Sequence, residues 1–351
     1  MKKELLMATA LVSTLGAASV AQAVTATMSG SMKIGAEFDS PENGVDTQNV
    51  VDLTNFSVGL TETTDGGTTI STSFNIIDEG TSDIGDDDNA LKLTFTDGSA
   101  LEVLNAGNAL GTHDVSIPGA SGEMGVAGTS TNSAPTGLDF AAPSTALGVE
   151  WHSAADFLMD GLKLSASFST DSGAAKVATS RVENSWGLGA TYVTSAGDTA
   201  LTIGAGISGS EVAVLDTQSA ADDGGFTLGV SAVTGDLTVA VGYADGDTTA
   251  GVGSNTNKQV DADVMKAGVK YVTGDITMNV GMVAGSAIDN VFAGTTTTED
   301  SYDEVNASLT YAVASGVSAV LGYTTVDQND ENADSTTTGG SSWYVGATMS
   351  F

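Results

Sequence analysis

From Thr25 onward the chain repeats one pattern, in which apolar and polar residues alternate with a period of two. Ala26, Met28, Met32, Ile34, Ala36 and Phe38 fall on one face, and Thr27, Ser29, Ser31, Lys33 and Glu37 on the other. Successive side chains of a strand point to opposite faces, so such a run has one apolar and one polar side. The same alternation runs through 70–76, 91–95, 162–168, 201–207, 226–232, 237–243 and 276–282. Sixteen segments of this kind are centred near Ser31, Ser57, Ser73, Leu93, Glu102, Val149, Ser165, Leu188, Ala205, Gly229, Val239, Gly268, Asn279, Ser308, Leu321 and Gly346. Each is near the ten or so residues that a tilted membrane strand needs. One run is a weak signal, but sixteen in series with one parity point to an all-β chain, a sixteen-stranded antiparallel transmembrane barrel.

The connections alternate as well. Short turns close strands 2–3 (Asp65, Gly66, Gly67), 4–5 (Asp97, Gly98, Ser99), 8–9 (Ser195, Ala196, Gly197), 10–11 (Thr234, Gly235, Asp236), 12–13 (Thr273, Gly274, Asp275) and 14–15 (Ala314, Ser315, Gly316). Glycine supplies the positive φ that tight hairpins require. Long polar loops lie between them, over 39–49, 79–89, 170–181, 209–224, 244–261, 285–301 and 327–340. Short turns at one end and long loops at the other are the arrangement of an outer-membrane barrel, which a soluble sandwich does not need. Arg181, the one arginine of the chain, falls at the end of one of these loops.

The N-terminus reads as a secretory signal peptide over 1–23. Lys2 and Lys3 give a basic start, 5–20 is mostly apolar and small, and Ala21-Gln22-Ala23 is a small-x-small cleavage site. The apolar run is short for a spanning helix, and no other such run follows. The mature chain, 24–351, would carry a net charge near −35, because removal of Lys2, Lys3 and Glu4 takes one net positive charge from the total of −34. That acidity argues against nucleic acid as a partner. Disorder does not follow, since 41% of residues are hydrophobic. With no cysteine, disulfides and thiolate metal sites are excluded.

The last alternating segment places Trp343, Val345, Ala347, Met349 and Phe351 on one face. Phe38, Trp151, Phe168, Trp186, Tyr192, Tyr243, Tyr271, Tyr311 and Tyr323 recur near strand ends, as interfacial girdles do. With the leader, the start Val24-Thr25-Ala26-Thr27-Met28-Ser29-Gly30, and the aromatic end, the mature chain resembles the Gram-negative general porins, the trimeric sixteen-stranded type of alphaproteobacteria. The resemblance implies a homotrimer in the outer membrane, in contact with lipid and lipopolysaccharide. It also implies that the loop after strand 5 folds into the lumen as the constriction.

By strand count that loop is 108–145, the longest stretch without alternation. It holds Pro118, Pro135 and Pro143, His113, and the acids Asp114, Glu123 and Asp139, with no Lys or Arg. A loop this long inside a compact domain is uncommon and points to a functional role. Inward parity collects Lys33, Glu37, Lys92, Glu102, Glu150, His152, Lys163, Lys266 and Lys270. A charge on the lipid face costs about 2–4 kcal/mol at mid-membrane, which alone would sort them inward. The constriction residues are read as Asp114, Glu123 and Asp139 on the loop, facing Lys33 and Lys92 on the wall. The inward Ser, Thr and Gly are expected to face water. The resembling porins set a basic cluster on the wall against the loop acids; here lysines replace the arginines.

Two further clusters were weighed. Asp83, Asp86, Asp87 and Asp88 could supply oxygen ligands to calcium, but the EF-hand spacing is absent and a solvated acidic loop is preferred. His113-Asp114 lacks a nucleophile motif such as GxSxG, so His113 is read as a loop residue and no enzyme activity or other cofactor is assigned. The expected function is a passive, cation-favouring channel for ions and small hydrophilic solutes. The alternatives are a substrate-selective channel and a structural or adhesive barrel.

Overall fold

The computed structural model describes residues 24–42, 44–78, 91–104, 108–119, 147–170, 181–213, 221–250, 258–291, 298–330 and 336–351. The expected leader, the acidic stretch with Asp83, Asp86, Asp87 and Asp88, and Glu123 and Asp139 lie outside these residues. In chain order the strands are β1 (Thr25–Pro41), β2 (Thr47–Thr63), β3 (Thr69–Asp78), β4 (Leu91–Thr94), β5 (Ala100–Val103), β6 (Leu147–His152), β7 (Leu162–Thr170) and β8 (Arg181–Ala196). They continue as β9 (Thr199–Ala213), β10 (Ala221–Thr234), β11 (Leu237–Ala250), β12 (Lys258–Thr273), β13 (Ile276–Val291), β14 (Thr298–Ala314), β15 (Val317–Asp330) and β16 (Thr336–Ser350). Each pairs antiparallel with its neighbours in sequence, and β1 pairs with β16, so the sheet closes into a barrel.

The packing is inverted relative to a soluble protein. Leu188, Ile207, Val241, Val280, Leu321 and Val345 are each about half exposed on the outer face. The buried side chains of the inner face include Ser165, Ser169, Ser185, Thr227, Asn279, Asn306 and Ser342. Apolar side chains outside and polar ones inside are stable only where the outer medium is hydrocarbon and the inner one polar. Tyr344 and Tyr302 are buried inward aromatics, and Tyr344 packs with Val51 and Val320 in a small apolar cluster on the inner wall.

Strand lengths depart from the even ten residues that the alternation suggested. β1, β2 and β14 have 17 residues each, whereas β4 and β5 have four. The hydrogen-bonded ladder runs past the apolar band, so β11 and β12 remain paired as far as Ala250 and Lys258. Apolar alternation marks only the lipid-facing part of a strand, because beyond it both faces meet water. The strands accordingly take in residues that the sequence assigns to long loops, such as 209–213 and 244–250. Arg181 is a correction of the same kind, since it opens β8 opposite Ala213 and does not lie in a loop.

The barrel seam is held at Gly30 and Phe351, whose backbone N–H and C=O groups exchange two hydrogen bonds of 3.1 Å. The Phe351 ring also packs on Phe56, with centroids 6.3 Å apart. The parity of the wall gives a direct test. Leu188→Arg, on the outer face of β8, is expected to cost about 2–4 kcal/mol if the site is near the midplane. Urea titration of folding into lipid vesicles measures it, and inward Thr202→Arg should cost less than half as much.

Candidate functional site: the loop seat in the lumen

Residues 108–119 follow β5 and lie against the inner faces of β7 to β14, which places a segment of chain inside the barrel. The segment starts with one helical turn, α1 (Ala109–Thr112), which was not expected from the sequence. Asn108 caps it: its side-chain Oδ1 accepts from the N–H of Gly111 at 3.0 Å. This satisfies one of the donors that a helix start leaves open.

Wall side chains fasten this turn. Glu150 on β6 accepts from the N–H of Asn108 at 3.1 Å and from the hydroxyl of Thr112 at 2.6 Å. Ser167 on β7 accepts from the N–H of Ala109 at 3.1 Å. His113 is buried, with Nδ1 2.7 Å from the Thr191 hydroxyl and Nε2 2.8 Å from that of Ser165. Ser165 also meets Nδ1 of His152 at 2.9 Å. Nε2 of His152 in turn lies 3.4 Å from Glu102, which pairs with Lys92 at 2.6 Å. A neutral imidazole has one donor and one acceptor, so the row can be satisfied in one direction. With the Glu102 carboxylate facing Nε2 of His152, the direction that fits is Thr191 donating to His113, His113 to Ser165, and Ser165 to His152.

Protonation of His113 breaks that direction, because both ring nitrogens must then donate. Burial holds its pKa below the usual histidine value, and repulsion from His152 and Lys163 adds to this. The docked state therefore favours neutral His113. Docking is at full strength above the undocked value of about 6.5 and weakens as pH falls through it toward the docked pKa. The expected outcome is a thermal midpoint that drops from pH 8 to pH 5, with a smaller drop in His113→Gln, measured by circular dichroism in detergent.

Beyond the anchors, the segment rides on glycines. Gly187 and Gly189 of β8 sit under Ala109 and His113, and Gly204 and Gly206 of β9 under His113 and Leu110. Val115 lies on Gly229 of β10, Ile117 near Gly242 of β11, Pro118 on Gly268 of β12 and Gly119 on Gly281 of β13. Several are cross-strand partners: Gly189 with Gly206, Gly204 with Gly229, Gly229 with Gly242, and Gly268 with Gly281. A Cβ on Gly229 would come within 2.7 Å of Val115 Cβ, and one on Gly206 within 2.7 Å of Leu110 Cα. The inward glycines of β8, β9, β10, β12 and β13 are buried under chain and do not face water, which corrects the sequence expectation. Gly229→Val should cost about 1–3 kcal/mol by overpacking. Ala205→Val, on the lipid side of β9, should cost less than half as much in the same unfolding assay.

The expected site residues fall into separate places. Asp114 is exposed beside the wall of β10–β12, near Lys266. Lys92 is paired with Glu102 on the adjacent strand. Lys33 is on β1, eight strands from β9 and so across the barrel from the seat. Glu37, Glu102, Glu150, Lys163, Lys266 and Lys270 all have inward parity; Glu37 and Glu150 are buried. The sequence reads His113 only as a loop residue and gives Ser165, Thr191 and the glycines no part in a site. Glycine instead of Ser or Thr at successive inward positions is the signal that could have found the seat. On β1 Asp39 accepts from Thr47 at 3.2 Å and Asn49 at 3.0 Å, and a second carboxylate lies on β14 beside the end of the segment. Glu304 accepts from Tyr302 at 2.7 Å and Asn306 at 2.9 Å.

Residues 8–349 match the family model described as Gram-negative porin. No curated protein matches the sequence. Among solved structures the chain is similar to the outer membrane channel DcaP of Acinetobacter baumannii, at 11% identity and TM-score 0.68, covering 93% of this chain and 97% of that one. It is also similar to in-vitro folded OmpT of Vibrio cholerae in its trimer form, at 16% identity and TM-score 0.61, covering 94% and 100%. An anion-selective porin from Comamonas acidovorans is similar at 10% identity and TM-score 0.63, covering 93% and 100%.

Proposed function

The chain belongs to the Gram-negative porins and is an outer-membrane channel rather than an enzyme, and on that premise we propose a general diffusion pore for ions and small hydrophilic solutes that favours cations. A barrel of about sixteen strands leaves an aqueous interior. The observation that carries the cation preference is a pair of wall carboxylates: Asp39 on β1 and Glu304 on β14 are hydrogen-bonded by neutral donors only, so no described base cancels their charge. The whole chain adds 44 acidic residues against ten basic ones, which lowers the potential along the pore and raises the local cation concentration.

In this reading the loop narrows the lumen from the β7–β14 side. Asp114, Glu123 and Asp139 supply its negative edge, with Lys33 facing it from β1. Lys92 contributes little net field, because Glu102 neutralises it at 2.6 Å. The protein is exported by cleavage after Ala23 and works as a homotrimer, its outer face against lipid and lipopolysaccharide. OmpT of Vibrio cholerae, similar in fold, is described in a trimer form.

Planar bilayers test the proposal. In a KCl gradient the reversal potential should take the sign of a cation-favouring pore. Asp39→Asn together with Glu304→Gln should move it toward zero. A folded protein that conducts no ions, or one that favours anions, would sink the reading. Gly229→Val, which pushes Val115 off its seat, should change single-channel conductance, whereas Ala205→Val should not.

A further inference from the structure

A recess of about 120 Å³ lies between the lumen segment and the wall of β10–β12. Its lining includes Asp114, Val115 and Ile117 from the segment, and Thr227, Val264 and Lys266 from the wall. That is several times the room a single water needs. The two charged groups are exposed and of opposite sign, and no ion pair joins them among the described residues. Val115, Ile117 and Val264 provide an apolar floor. Thr227 is buried, and its Oγ has no hydrogen-bond partner. A buried, unpartnered hydroxyl is costly unless something satisfies it.

The shape of the recess is fixed by the seat. Val115 is held over Gly204 and Gly229, and Ile117 near Gly242 and Gly268. The backbone N–H of Asp114 donates to the carbonyl of Gly111 at 3.1 Å, which closes the turn before the recess. Lys266 and Gly268 are successive inward positions of β12, so the lysine stands beside the chain and not beneath it.

These features select by charge. A simple cation that approaches Asp114 also meets Lys266, and a simple anion meets Asp114. A neutral solute can hydrogen-bond these groups but forms an ion pair with neither. A solute with one ammonium and one carboxylate satisfies both and adds no net charge. We propose that this recess is a binding subsite for a small zwitterion, an α-amino acid with a short aliphatic side chain. Its ammonium pairs with Asp114, its carboxylate with Lys266, and its side chain lies on Val115, Ile117 and Val264. The subsite gives the pore a preferred solute class in addition to passive diffusion, and in that respect it rests on the channel reading.

The test uses L-alanine and lactamide, an uncharged molecule of the same atomic formula. The full-length protein is placed in planar bilayers in KCl near pH 7. L-alanine should reduce the current in a saturable way, and lactamide at the same concentration should not. Asp114→Asn and Lys266→Gln should each raise the half-blocking concentration about tenfold, as expected for loss of one charge-assisted hydrogen bond. The charge-exchanged variant D114K/K266D should recover most of that loss. KCl conductance of each variant shows that it has folded. Equal responses to alanine and lactamide overturn the subsite. So do single variants that block like the parent, or a conducting exchanged variant that does not recover. A folded protein without KCl conductance overturns the channel reading instead, and alanine binding by calorimetry in detergent then tests the subsite independently.

Discussion

Inside hydrocarbon no water can satisfy a backbone N–H or C=O, and every feature of this protein follows from meeting that demand with strands alone. An open sheet would leave two unpaired edges, so β1 must find β16, and the two meet from Ser31 opposite Ser350 up to Pro41 opposite Gly340. Closure frees the inner face from packing against another sheet. With water inside, inward positions can carry Ser, Thr, Asn and charges that a core would reject. Any selectivity has to come from what is placed within the ring.

What is placed there is held by two kinds of contact. At its root the segment is fastened by hydrogen bonds to Glu150, Ser165, Ser167 and Thr191, which fix direction. Further along it is fastened by the absence of side chains, since glycines on successive strands let the backbone approach the sheet. The division has a physical logic. Hydrogen bonds need specific partners but tolerate a gap, whereas a glycine track needs no partner and permits close van der Waals contact along its length. The root can therefore respond to protonation through His113, while the glycine contacts themselves carry no titratable group.

The barrel was legible because its signal is repeated. Residues such as Leu237, Val239, Val241 and Tyr243 each carry little information, but their parity recurs around the ring. The ends of the strands were not legible, because beyond the lipid the alternation stops while the ladder goes on, as at Ala250 opposite Lys258. Inward facing could be read for Lys92 and Glu102, but their cross-strand pairing needed the register that only the folded sheet supplies. His113 looked like an idle loop residue because its partners, Ser165 and Thr191, are 52 and 78 positions away in the chain. The glycines looked like water-facing filler for a related reason. A missing side chain shows its purpose only when the chain that fills the space is seen.

The lumen that results has two unlike sides. Against β7–β14 it is lined by Leu110, Val115 and Ile117 of the segment, with Asp114 and Lys266 among them. On β16 and β1 it is lined by buried polar groups, including Ser342, Glu37 and Asp39. A solute crossing the pore meets an apolar surface on one flank and an acidic one on the other. Net charge acts on every ion of one sign alike and cannot sort solutes by structure. The two flanks can, because a solute must present complementary faces to both at once. The seat, by deciding how far the segment stands from the wall, fixes the separation between the flanks. In a closed sheet whose outer face is committed to lipid, that separation is the variable left for substitutions to tune.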